Sequence, residues 1–335
     1  MDYEQFGFEP SNEARLMYRK MNVWTALLLA SSLLATACNE TVTNQECTAA
    51  DSALCSAQTL NTKVFVSPLE ALELRDDGAL VLDTRSREKY DAGHINGAVY
   101  TLGGKEFQDE LGLVIPDIIS ITETARLLGM HNDQKIVVYG DTISSNTARL
   151  FWTLEYLGHG DVYFVAEGFE EILVETSEVA STQETIPPKG DFVVALRSEI
   201  FASAEEVRQA ATGEKPAILI DTRRESEWLG DEDRGDPRQG AIPNATWYYW
   251  ENVYDANTGK LRPKAELKAE FEALGLFKPD SVIIPYCQTG VRSAVVYAVF
   301  RWLGHDNVKN FDGSWSEWSR DNNLPIVDNE PEVTE

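Results

Sequence analysis

Residues 135–162 read KIVVYGDTISSNTARLFWTLEYLGHGDV, and residues 281–308 read SVIIPYCQTGVRSAVVYAVFRWLGHDNV. Each segment opens on a short apolar run, crosses a few polar positions and enters a helix-like apolar stretch. Leu157-Gly158-His159 stands 146 residues before Leu303-Gly304-His305. The pairing continues upstream, where VLDTRSREKYDAGHINGAVY (81–100) lies against LIDTRRESEWLGDEDRGDPRQGAIPNATWY (219–248). Both begin with an apolar run ending in Asp-Thr-Arg, at Asp83 and Asp221. Both continue through a short acidic helical stretch with an aromatic, Tyr90 or Trp228, to Gly-x-Ile-x-x-Ala. A repeat this long is a duplicated domain, since solenoids repeat every 20–50 residues or so.

Within each copy, apolar β-rich runs alternate with helical stretches. AILID (217–221) and SVIIPY (281–286) read as buried strands; KAELKAEFEALG (264–275) and SAVVYAVFRWLG (293–304) read as helices, the second closed by Gly304. Continuous apolar strands separated by helices specify an α/β fold with a parallel sheet covered on both faces. The expected organisation is therefore two tandem α/β domains, 62–176 and 192–326, each a parallel sheet flanked by helices. The polar, proline-paired stretch 177–191 joins them, and residues 39–61 and the acidic tail 327–335 read as loosely ordered.

The net charge of −26 argues against nucleic acid and against an anionic membrane surface, because both are bound through Lys and Arg. The acidity reads as a solvated surface. MYRKMNVWTALLLASSLLATACNE (17–40) has the layout of a secretory signal: basic residues, an apolar stretch from Val23 to Ala37, then Cys38. The apolar stretch is short for a spanning helix, which needs about 20 residues. LATAC also resembles a bacterial lipobox with Ala35 in place of the usual Leu, which implies a lipidated Cys38 as the first mature residue. Plain cleavage after Ala-Thr-Ala and an uncleaved anchor are the alternatives. Residues 1–16 do not look like a signal, which puts the true start at Met17 or Met21. The expected location is exported and periplasmic, on a lipid anchor. Asn39 does not suggest inner-membrane retention, which favours the outer membrane. Cys47 and Cys55 follow closely and read as a small-loop disulfide or as two free thiols.

Cys287 ends the apolar run VIIPY, at the C-terminal edge of an expected strand, where open α/β sheets collect ligands. Gln288, Thr289, Gly290, Val291 and Arg292 form a short loop into the next helix. That loop surrounds the sulfur with free backbone N–H groups and the positive end of a helix dipole, an environment that favours thiolate. Gly290 allows the chain to curl, and Arg292 adds a fixed positive charge. A structural buried thiol is the competing reading. Asp141 at the offset position of the first copy tells against it, since the fold then does not require a thiol there. The nucleophile reading expects an accessible Cys287 side chain with the amides of 288–292 turned toward it.

At these residues the chain resembles the tandem-domain rhodaneses, the thiosulfate and 3-mercaptopyruvate sulfurtransferases, over about residues 62–325. VKNFDGSWSEW (308–318) is similar to the family's C-terminal signature through Phe311, Asp312, Gly313, Trp315, Glu317 and Trp318; YDAGHINGA (90–98) is similar to the N-terminal one, with Asn96 where proline is usual. CQTGVR resembles the active loop, and an inactive first domain with Asp in place of Cys is also a family habit. The resemblance implies that the Cys287 thiolate takes a sulfane sulfur from a small donor, holds it as a persulfide stabilised by the N–H groups of the loop, and passes it to a thiol or cyanide acceptor. It implies no metal or organic cofactor, and a two-domain monomer is the default.

Cysteine phosphatases share the fold but place five residues between Cys and Arg, whereas here there are four, Gln288 to Val291. A ring of that size suits one sulfur atom. A persulfide carrier without donor turnover is the other alternative. Gln288 and Thr289 match neither the basic loop of thiosulfate enzymes nor the Gly-Ser of mercaptopyruvate enzymes. The resemblance usually places a donor-holding Arg where this chain has Glu227, leaving Arg224, Arg234 and Arg238 as candidates for the clamp. Arg223 reads as a structural partner of its Asp-x-Arg motif. His94 has two readings: a residue facing the interdomain cleft near Thr289, or a loop cap bonded to backbone.

Overall fold

The protein is described here by a computed structural model covering residues 57–114 and 117–329. Cys38, Cys47, Cys55 and the signal-like segment lie outside the described residues. No helix among the described residues is long and apolar enough to cross a membrane.

The first domain is built on β1 (Phe65–Val66), β2 (Leu80–Asp83), β3 (Val99–Tyr100), β4 (Ile136–Tyr139) and β5 (Val162–Val165), all parallel, in the order β1-β5-β4-β2-β3. Leu80–Asp83 and Ile136–Tyr139 are buried at every position, which explains their unbroken apolar sequence. The helices are α1 (Pro68–Asp76), α2 (Arg87–Ala92), α3 (Ile118–Leu127), α4 (Ser145–Tyr156) and α5 (Phe169–Thr176). Ser67, Ser86, Asp117 and Ser144 start the first four, each accepting a backbone N–H inside the first turn.

The second domain repeats the plan with β6 (Phe201–Ala202), β7 (Ile218–Asp221), β8 (Ala245–Trp247), β9 (Ile283–Tyr286) and β10 (Asn310–Phe311). Its helices are α6 (Ala204–Ala211), α7 (Glu225–Leu229), α8 (Lys264–Ala273), α9 (Ser293–Leu303) and α10 (Ser314–Arg320). β8-β7-β9 form one parallel ladder and β10-β6 another; a parallel bridge from Val308 to Ile283 joins them in the order of the first sheet. The expected strands and helices of this copy, and the Gly304 cap at φ 87°, are all present.

The motif Asp-Thr-Arg performs the same task twice. Arg85 makes a buried bidentate pair with Asp83 and donates to the Gly93 carbonyl; Arg223 does the same with Asp221 and Gly240. Tyr139 and Tyr286 each donate their hydroxyl to the same carboxylate, at 2.5 and 2.7 Å. A carboxylate so supplied with donors tolerates full burial. Arg223 is thus structural, as its motif suggested.

α4 and α9 pack against each other, and one apolar core runs through both domains, from Val64 and Leu82 through Trp152 to Val296 and Phe300. At the described residues 57–61 and 327–329 the expectation of loose order is corrected. Gln58 and Asn61 bond the backbone of Gly158 and Gly160, and Arg301 donates to the Asn61 carbonyl. Val327 pairs with Ala241, and Asn329 donates to the Trp228 carbonyl. The 177–191 stretch lies along the first domain: Ser181 pairs with His94, and the Gly190 amide donates to the Arg126 carbonyl.

Candidate active site

Strand β9 delivers Cys287 at its C-terminal end, and α9 begins six residues later at Ser293. The loop between them is held from behind by the segment joining β10 to α10. Ser314 accepts the amides of both Cys287 and Gly290, at 3.1 and 3.0 Å, and donates to the Phe311 carbonyl at 2.7 Å. These bonds hold Ser314 at φ 49°, a region that residues with a Cβ seldom enter. Asn310 donates to the Gly290 carbonyl; the amides of Trp315 and Ser316 take the carbonyls of Cys287 and Gln288. The C-terminal sequence FDGSW is therefore the brace of the loop. Ser314, which carries most of it, was missed because a serine between glycine and tryptophan looks like any turn residue.

Gly290 has φ 72°, and a Cβ there would lie 2.5 Å from Arg149 Nη1 and 2.7 Å from the Asp312 carbonyl oxygen. Both the conformation and the space require glycine.

The thiol is not accessible: Cys287 is 1% exposed, against the expectation. The loop closes around the sulfur, and the first-domain segment lies so near that a Cβ on Gly112 would meet Thr289 Cβ at 3.5 Å. The amides are also divided. Those of Thr289 and Ser293 favour the thiolate, whereas that of Gly290 is bonded to Ser314. Burial works to raise the thiol pKa; the Arg292 guanidinium and the Ser293 and Thr289 groups outweigh it and hold the thiol below its ordinary value. The Ser293 hydroxyl lies 3.7 Å from the sulfur and 2.7 Å from Asn310 Oδ1, and its single proton belongs with the nearer acceptor. Thiolate stabilisation therefore rests on the two amides and Arg292.

Arg292 is not free. Glu227, 3% exposed on α7, accepts from both of its terminal nitrogens at 2.5 and 2.8 Å. Burial would raise the Glu227 carboxyl, but Arg292 holds it below the usual carboxylate range. Glu227 is thus the partner of Arg292 and not part of a donor clamp. Arg238 is also excluded from that role: it caps α10, donating to the carbonyls of Trp318, Ser319, Asp321 and Leu324. Arg224 and Arg234 remain at the surface and share Glu232, at 3.4 and 3.8 Å. Gln288 is held by the Arg234 carbonyl and Asp236, whose other oxygen takes Ser316 and Arg320.

His94 is removed from the cleft reading. It is fully buried in the first domain, stacked on Tyr90 at 3.8 Å, with its ring nitrogens 2.8 and 3.0 Å from the carbonyls of Tyr90 and Gln183. The first domain approaches the loop instead through Gly112 and Arg149. Arg149 Nη2 bonds Asp312 Oδ1 at 2.5 Å, and Asp312 Oδ2 accepts the Val114 amide. Nothing in the sequence spacing paired Arg149 with Asp312.

Strand register corrects one alignment. Asp83 pairs with Tyr139 and Asp221 with Tyr286, so the residue opposite Cys287 is Gly140; the stretch from strand end to Leu-Gly-His is one residue longer in the first copy, whose helix also starts earlier. A Cβ on Gly140 would lie 2.3 Å from Thr147 Oγ1 and 2.6 Å from Thr84 Oγ1, with Ser144 Oγ at 3.1 Å. Hydroxyls fill the place that the thiol takes in the second copy. Asp141 points to the surface and pairs with Lys89 at 2.9 Å.

The family model for the rhodanese-like domain matches residues 67–175 and 203–321. The sulfur carrier protein TtuD of Thermus thermophilus is 33% identical over 255 residues, 72% of this chain and 87% of that protein. The thiosulfate sulfurtransferase of Corynebacterium glutamicum is 30% identical over 283 residues, 81% of this chain and 89% of that protein. Among solved structures, the Tum1 protein from Saccharomyces cerevisiae shares the fold, with a TM-score of 0.68 at 18% identity over 81% of this chain and 100% of that one.

Proposed function

The chain belongs to the rhodanese-like family as a tandem-domain sulfurtransferase, and from that premise we propose that Cys287 is its sole sulfur carrier. The observation that carries this reading is the Cys287 thiol at the end of β9, enclosed by a loop that Ser314 braces and Arg292 closes, where Arg292 and the loop favour the thiolate against burial. The thiolate attacks the sulfane sulfur of a small donor. A new S–S bond forms, the donor's bond to that sulfur breaks, and the electron pair leaves with sulfite from thiosulfate, or stays on C3 of 3-mercaptopyruvate, which takes up the proton lost by the donor thiol and leaves as pyruvate. An acceptor thiolate or cyanide then attacks the outer sulfur and returns Cys287 as thiolate. Two covalent steps on one group give ping-pong kinetics. Preorganised N–H groups favour the anion at each stage without reorganising.

Because the thiol is covered, the donor reaches it only when the loop and the segment over Thr289 give way by about the width of a sulfur atom. The same cover shields the persulfide between steps. Burial also lends weight to a second reading, a persulfide carrier loaded by another protein, and turnover with small donors separates the two. The test is an intact mass after mixing with thiosulfate or 3-mercaptopyruvate and trapping. The expected result is a gain of one sulfur atom, absent in Cys287→Ser; no gain from either donor overturns the enzyme reading.

The N-terminal sequence supports an exported, periplasmic protein tethered through Cys38, with the outer membrane favoured and the globular part acting as a monomer. A globomycin-sensitive mature mass beginning at a lipidated Cys38 is the expected product in a bacterial host.

A further inference from the structure

The guanidiniums around the loop are already engaged: Arg149 pairs with Asp312, and Arg238 gives its donors to the carbonyls at the end of α10. Arg223 is bound by Asp221, Arg320 by Asp236, and Arg224 and Arg234 share Glu232. Arg292, the guanidinium that acts on the thiolate, is bound face to face by Glu227. That carboxylate is almost fully buried and is fixed further by the Arg224 amide at 3.2 Å, so it does not swing aside. With Cys287 ionised, the group made of Cys287, Arg292 and Glu227 carries one net negative charge before any donor arrives. A dianion meets that charge at the sulfur, while the nearest exposed guanidiniums, Arg224 and Arg234, are drawn to Glu232.

We propose that Glu227 sets donor specificity, and that this site takes its sulfur from a donor bearing one negative charge or none and discriminates against dianions such as thiosulfate. The inference rests on the persulfide reading above. The chemical class that fits is a monoanionic sulfane donor, a thiosulfonate or an organic persulfide. With methanethiosulfonate the Cys287 thiolate attacks the sulfane sulfur, the sulfur–sulfonyl bond breaks, and its electron pair leaves with methanesulfinate. The donor differs from thiosulfate chiefly by one charge.

The test is single-turnover persulfide formation, read by intact mass, with thiosulfate and methanethiosulfonate as probes. Wild-type protein is expected to react faster with methanethiosulfonate. Glu227→Gln is expected to raise the thiosulfate rate about tenfold, the order for one unit charge removed from a partly screened site, and to leave the methanethiosulfonate rate within about threefold. A changed thiol pKa moves both donors together, so the ratio isolates the charge of the donor. Should Glu227→Gln not fold, the salt dependence of the wild-type rates decides: screening a repulsion speeds thiosulfate as ionic strength rises. An unchanged ratio in the variant, or a thiosulfate rate that falls with salt, overturns the specificity inference and leaves the persulfide reading standing. No sulfur gain from either donor overturns the persulfide reading, and this inference with it.

Discussion

Cys287 is a buried thiol whose surroundings favour the charged form, and the two facts act against each other in a measurable way. Burial slows every reagent at every pH, so absolute reactivity says little; the pH dependence of the rate reports ionisation. The alkylation rate of the folded protein is expected to rise through a midpoint below about 8.5, the ordinary thiol value, and to return there in denaturant. The sign extends to stability. A group whose folded pKa is depressed contributes fully above its unfolded value and loses that contribution as pH falls through the folded one. A midpoint at or above that of the denatured chain would show that Arg292 and the two amides do not outweigh burial. The sequence made the thiol, its loop and Arg292 legible because they are contiguous. Glu227 was legible only as a departure; its meaning came from a partner 65 residues away.

At the scale of elements, the same strand–loop–helix unit is used twice with opposite results. After β9 the loop encloses a thiol; after β4 it encloses the hydroxyls of Thr84, Ser144 and Thr147, which leave no room for a side chain at Gly140. Asp141→Cys is therefore expected to yield an ordinary surface thiol that gains no persulfide from sulfur donors in a Cys287→Ser background, by intact mass. Transfer at that position would mean that the loops are interchangeable. Alternation of apolar and helical runs made the elements themselves legible, since each strand is buried on both faces. The one-residue shift between the copies was not, because the Leu-Gly-His ends align at one offset and the strands at another. Only hydrogen-bond register separates them.

At the scale of the whole molecule, the duplicated domains share one core and meet through buried charge. Arg149 and Asp312 are 1% and 2% exposed, and Arg149 Nε and Nη1 have no hydrogen-bond partner among the described residues. Replacing one member of such a pair strands the other. Arg149→Met is expected to cost about 3–5 kcal/mol in urea unfolding, while Arg149→Met with Asp312→Leu recovers much of it. Equal losses in the single and double variants would show that packing, not charge, is at stake. The tandem two-domain plan was readable from repetition; this contact was not, because it joins different positions of the two copies.

Glu155 of α4 faces Arg301 of α9 at 3.4 Å, with the Tyr297 hydroxyl on the same carboxylate at 2.7 Å. The two residues occupy the same place in their respective repeats, 146 positions apart. Were the halves separate identical polypeptides related by a two-fold axis, each such residue would confront its own copy, glutamate against glutamate or arginine against arginine. Opposite charges at one site of self-contact require two halves that differ in sequence. The divergence of the two halves at this position is what commits each half to the other.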